Sequence, residues 1–156
     1  MTRPARWGFW LLWALLPHGA ALSFSYGQVA PARFGVRSDV VNAVGSSLHL
    51  GVAFDAPLGL YVRGGLVASH ATARWGSSDV ARVRMDGVLS FHLDPFQEER
   101  RGLYGFAGVG AVQRRSEWLP VMVIGAGVEF YAGQRRSWSV EGGLGGGWRL
   151  GAIFKP

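Results

Sequence analysis

Cysteine is absent from the 156 residues. That excludes disulfides, a thiol nucleophile, thiolate metal ligands and a lipid-bearing cysteine. Lysine is almost absent: Lys155 stands alone among sixteen basic side chains, the rest being arginine. The formal net charge is +6, but the arginines are scattered or paired and form no stripe, which argues against nucleic acid as a partner. Long hydrophobic runs are missing too. The longest, Trp7 to Leu16, has ten residues, half of the roughly 20 that a membrane-spanning helix needs. No segment after it shows helical periodicity, so a helical bundle is excluded.

The short run near the start has its own meaning. Arg3 and Arg6 precede it, Pro17 breaks it, and the small residues Gly19, Ala20 and Ala21 follow. A cationic start, an apolar stretch and a small-residue site compose a cleaved secretory signal. Residues 1–23 are therefore expected to be a signal peptide and residues 24–156 a single domain outside the cytoplasm.

What the sequence does contain is glycine, at 24 positions, with seven tryptophans and nine phenylalanines. The stretch "VRMDGVLSFHLDP", residues 83–95, shows how they are used. Val83, Met85, Gly87, Leu89, Phe91 and Leu93 share one parity; Arg84, Asp86, Val88, Ser90 and His92 share the other. Side chains alternate across a strand, so this stretch reads as a β-strand with unlike faces. Similar runs, separated by turn-forming clusters, predict strands at 33–44, 47–55, 59–69, 80–93, 102–113, 118–131, 137–144 and 147–155. Residues 137–154 also read as one long strand. The chain then has seven strands, and residues 23–30 must supply the eighth.

One face of these strands is apolar: Leu48, Leu50, Val52 and Phe54, then Leu60, Val62, Gly64 and Leu66, and on through Met122, Ile124, Ala126, Val128 and Phe130. The opposite face carries Arg37, Asp39, Asp55, Arg63, Arg82, Arg84, Asp86, Glu129, Glu141 and Arg149, five bases and five acids. Residues 102–113 are apolar on both parities, which leaves their faces unassigned. Two architectures suit this alternation. In a soluble barrel or sandwich the apolar face is the core. In an outer-membrane barrel it meets lipid, and the charges fill the lumen.

The one-to-one balance favours the second, because buried charge needs a partner and an eight-stranded barrel has room only for side chains. Arg63, Arg82, Arg84, Asp86, Glu129, Glu141 and Arg149 are the expected lumen network. Aromatics near strand ends agree with a girdle at the membrane boundary, expected at Trp118, Tyr131, Trp138, Trp148 and Phe154.

"GLYGFAGVGAV" and "VMVIGAGVEFYAG" resemble the strand pairs of small outer-membrane β-barrel proteins, the eight-stranded type of the outer membrane protein A membrane domain. The resemblance spans about residues 33–155 and rests on a pattern of glycines and aromatics. It implies an all-β, antiparallel, up-and-down transmembrane barrel of about eight strands in the outer membrane, with outer-membrane lipids as partners. Barrels of that kind commonly end in an aromatic residue; here Lys155 and Pro156 follow Phe154.

Candidate chemistry is sparse. Pairing the strands tightly around "APL" sets Phe54 opposite Leu60 and His49 opposite Gly65. His49 and His70 are then about 17 Å apart, too far to share a metal. "EGGLGGGWRLG", residues 141–151, lacks the Lys-Ser/Thr pair of a phosphate-binding loop. Some small barrels that modify lipid A use a His-x-Ser pair facing lipid. "SFH" (Ser90, His92) reverses that order and lies on the polar parity. No cofactor, metal or catalytic residue is expected. The expected role is structural, or surface interaction through the connection Ala71–Asp79. The alternatives are a soluble periplasmic barrel holding an apolar ligand and a lipid A-modifying barrel enzyme. The arginine pairs Arg100–Arg101, Arg114–Arg115 and Arg135–Arg136 fall in connections, where they solvate strand ends or meet lipid phosphates.

Overall fold

The computed structural model describes residues 31–156 except 77–79, 97, 99 and 133–135. The expected signal peptide and residues 23–30 lie outside the described residues. Eight antiparallel strands follow in chain order: β1 (Arg33–Asn42), β2 (Ser46–Pro57), β3 (Val62–Trp75), β4 (Val83–His92), β5 (Arg101–Arg114), β6 (Glu117–Ala132), β7 (Arg136–Leu144) and β8 (Trp148–Lys155). Each strand pairs with its sequence neighbours, and β1 pairs with β8, closing an up-and-down barrel. Closure removes every sheet edge.

Residues 137–154 form two strands and not one. Gly145 to Gly147 make the turn, with positive φ at Gly146 (70°) and Gly147 (146°), a backbone that side chains with a Cβ disfavour. The other ambiguous region resolves equally simply. On β5 the even positions Tyr104, Phe106 and Val112 are buried, and Leu103 and Val109 are exposed.

Two expectations fail in the middle of the chain. Phe54 faces Leu66 and not Leu60, and His49 faces Ala71 and not Gly65. The β2–β3 connection occupies residues 58–61, closed by Leu58 N–H donating to Val62 O at 2.9 Å. Pairing the two apolar faces is satisfied by either register, since both keep the parity. His49 and His70 are consequently near neighbours along the sheet but lie on opposite faces: His49 is fully buried and His70 exposed.

The second failure concerns "HATARW", expected as loop. It continues β3 to Trp75. A β-bulge at Thr72 interrupts the pairing, because His49 faces Ala71 while Leu48 faces Ala73. The extra residue inverts the alternation beyond it. Arg74 then faces Ser47, on the lumen side, and Trp75 faces Ser46, on the outside. Without the bulge the arginine would point outward and the indole inward.

Among the described residues the buried apolar clusters are small, Ala53 with Val67 and Ile153, and Tyr104 with Phe106 and Val123. The large aliphatic side chains lie outside, Met122 being 83% exposed and Leu66 64%. This overturns the reading in which the apolar parity forms a core around an apolar ligand.

Candidate lumen charge network

Because the odd positions of β1, β2, β6, β7 and β8 and the even positions of β4 and β5 face inward, charges distant in sequence converge on one axis. They form three tiers. The base is the end where β1 starts and β8 finishes; the far rim carries the β1–β2, β3–β4, β5–β6 and β7–β8 turns.

At the base, Glu129 Oε1 is contacted by Arg33 at 3.0 Å, by Lys155 Nζ at 3.2 Å and by the Ser137 hydroxyl at 2.6 Å. Lys155 bridges onward to Asp55 Oδ1 at 3.1 Å, whose other oxygen accepts from Arg63 Nε. Arg63 also donates to Pro31 O at 2.7 Å.

In the middle tier Arg37 grips Asp39 with two hydrogen bonds, 2.6 and 2.8 Å, the bidentate arrangement that suits guanidinium to carboxylate. The same Nη2 that bonds Asp39 Oδ1 lies 2.7 Å from Glu141 Oε2, and Tyr104 donates to Glu141 Oε1 at 2.7 Å. Gly151 makes room for this: a Cβ there would overlap Asp39 Oδ1.

Toward the far rim, Asp86 Oδ2 accepts from Arg84 Nε at 2.7 Å and from Arg149 at 2.9 Å. The Arg149 guanidinium lies over the Phe106 ring, 5.2 Å from its centroid, where the ring quadrupole favours a cation.

Of the seven expected network residues, six lie inside: Arg63, Arg84, Asp86, Glu129, Glu141 and Arg149 are buried. Arg82 does not belong with them. It shares the inward parity but precedes β4, and its side chain is exposed at the far mouth. Arg33, Arg37, Asp39, Asp55 and Lys155 complete the network. Lys155 was legible, since it continues the alternation of Arg149, Gly151 and Ile153. The expected balance of five and five accordingly becomes six cations against five carboxylates among the described lumen residues.

The girdle also divides. Trp118, Trp138, Trp148 and Phe154 are each about half exposed on the outer face. Phe130 and Trp138 stack there with centroids 4.2 Å apart. Tyr131 is a correction: it takes the inward parity, with its hydroxyl 3.4 Å from Glu129 Oε2 and close above Gly102. Outer aromatics missed from the sequence include Phe34, which packs on Phe54, and Tyr61, which stacks on Phe91, at the base, and Trp75 at the far rim.

Ser90 and His92 meet inside the barrel. The hydroxyl lies 3.1 Å from His92 Nε2, His92 Nδ1 is 3.9 Å from Glu129 Oε2, and the ring stacks on Tyr104 at 4.8 Å. The pair borders a lumen cavity of about 50 Å³ between the base and middle tiers, small beside the roughly 300–1,000 Å³ of ligand pockets. The serine faces the lumen and not the outer apolar surface.

An eight-stranded closed barrel with ion pairs inside and an apolar belt outside defines the class of small inside-out barrels. No family model and no curated protein matches the chain. Among solved structures, the N-terminal β-barrel domain of Pseudomonas aeruginosa OprF is similar, with a TM-score of 0.58 at 16% identity, covering 83% of this chain and all of that one. The shared property is the fold, an eight-stranded barrel of the outer membrane protein A type.

Proposed function

We propose that this chain is an integral outer-membrane β-barrel, exported by a cleaved signal at residues 1–23, with outer-membrane lipids around it and a structural or surface-interaction role. The observation that carries the reading is the inversion of polarity. A soluble monomer rarely exposes apolar patches beyond a few hundred Å², whereas here the whole circumference is apolar and charged side chains occupy the axis. The aromatics fit the same reading. Trp118 and Phe130, twelve residues apart on β6, are separated by about 40 Å of strand, or about 30 Å of height at a tilt near 40°. That matches an apolar band flanked by girdles.

The lumen is plugged by its own ion pairs and does not pass large solutes on this reading. Surface interaction falls to the far-rim turns, with Arg74 and Arg82 exposed there. The loop expected to carry it is shortened by the extension of β3, and residues 77–79 lie outside the described set.

Fractionation tests the proposal. Recovery in outer-membrane fractions, with an unboiled sample migrating faster than a boiled one, is the expected result. Release by osmotic shock, with no heat-modifiable band, overturns it. Ser90→Ala and His92→Ala are expected to leave the lipid A profile unchanged.

A further inference from the structure

The far rim carries a local excess of cations. At the far rim one carboxylate, Asp86, serves both Arg84 and Arg149 through a single oxygen. A third guanidinium, Arg114, stands half-buried beside them on the inward parity of β5. Arg84 donates to Gly145 O at 2.5 Å and Arg114 to Gly146 O at 3.3 Å, so both hold the β7–β8 turn over the lumen.

Beneath that turn lies a small chamber of about 10 Å³, with Ser47, His49, Arg84, Arg114 and the turn glycines on its lining beside apolar residues such as Val41 and Val112. Three of the nitrogens on its lining side chains are shielded from solvent and have no hydrogen-bond partner: Arg84 Nη2, Arg114 Nε and His49 Nδ1. Two of them belong to permanent cations. The third becomes a donor when the Ser47 hydroxyl donates to His49 Nε2, 3.0 Å away. Buried donors without partners are rare in folded proteins, and buried charge without a counter-charge rarer still.

We propose that this chamber binds one monatomic anion, chloride in ordinary salt. A water molecule satisfies the donors alone; an anion also offsets the local excess of three guanidiniums over the one carboxylate of Asp86. A halide is somewhat larger than water, so the flexible Arg84 and Arg114 side chains must give way slightly to admit it, whereas phosphate, sulfate and carboxylates need far more room. The site lies inside the barrel, so the proposal does not rest on the membrane assignment.

The experiment is a chloride NMR linewidth titration on the detergent-solubilised full chain at constant ionic strength. The expected result is excess broadening that bromide displaces and sulfate does not. Arg114→Gln, at a half-exposed rim position, is expected to lose the broadening. Gly145→Ala is expected to lose it as well, because its Cβ would displace Arg84 Nη2. Arg74→Gln, a rim arginine outside the chamber lining, is expected to retain it, and circular dichroism checks that each variant is folded. The thermal midpoint of the wild type should also rise as chloride replaces gluconate, by mass action on the folded state. Absence of broadening in the wild type overturns the proposal. So does displacement by sulfate, the mark of a diffuse cationic surface, or unchanged broadening in both folded variants.

Discussion

Arg149 and Asp86 are 63 residues apart in the chain and 2.9 Å apart in the lumen. They stand on β8 and β4, which face each other across the diameter of a closed eight-stranded ring. The pair thus fastens one wall of the barrel to the opposite one, and Arg84 joins it through the same carboxylate oxygen.

Asp86→Asn should therefore leave two buried guanidiniums facing a neutral amide. Removing one partner of a buried ion pair costs about 3–5 kcal/mol, and urea unfolding of the refolded barrel measures it. Replacing Asp86, Arg84 and Arg149 together by leucine and methionine should be far less harmful, because no charge is left unpaired. Equal losses in the single and triple variants would refute the strapping role.

At the base, Glu129→Gln should destabilise more than Asp55→Asn. Glu129 is fully buried and neutralises both Arg33 and Lys155. Asp55 is partly exposed at the strand end, and Arg63 keeps a second acceptor in Pro31 O. The ranking is read from thermal midpoints, with about 3–5 kcal/mol expected for Glu129 and the reverse order counting against the tiers.

Arg82 and Arg84 make a matched pair two residues apart. Arg84→Ala should cost several kcal/mol through the stranded Asp86 and the lost grip on the turn, as for any buried pair broken on one side. Arg82→Ala should fall within about 0.5 kcal/mol of the wild type, as exposed sites do. Equilibrium unfolding in denaturant compares the two directly.

Ile124→Arg separates hydrocarbon from water as the outer solvent. Ile124 is 59% exposed, midway between Trp118 and Phe130 on β6. In a lipid bilayer an arginine there should cost about 2–4 kcal/mol; on a water-bathed surface the change should stay within about 0.5 kcal/mol. Folding into liposomes, followed by denaturant titration, gives the answer.

The alternation of polarity was legible from residue types alone, and with it most strands and the membership of each face, except at residues 102–113, apolar on both parities, and beyond Thr72 on β3. The turn at Gly145–Gly147 was only one of two readings, because residues 137–154 also fit a single long strand. Register was not legible: two pairings of β2 with β3 keep the same parity, and choosing Leu66 over Leu60 opposite Phe54 depends on the whole ring closing. The bulge at Thr72 was hidden for the same reason, because an extra residue looks like the end of a strand when its partner is unknown.

By itself, then, the sequence determined which side chains share a face, since the direction of Cβ is a local property of an extended backbone. Only the tertiary structure decided which face is the inside and which charge meets which. Those depend on curvature and closure, which bring β4 to β8 and Lys155 to Glu129 and leave Arg82 above the lumen that Arg84 enters.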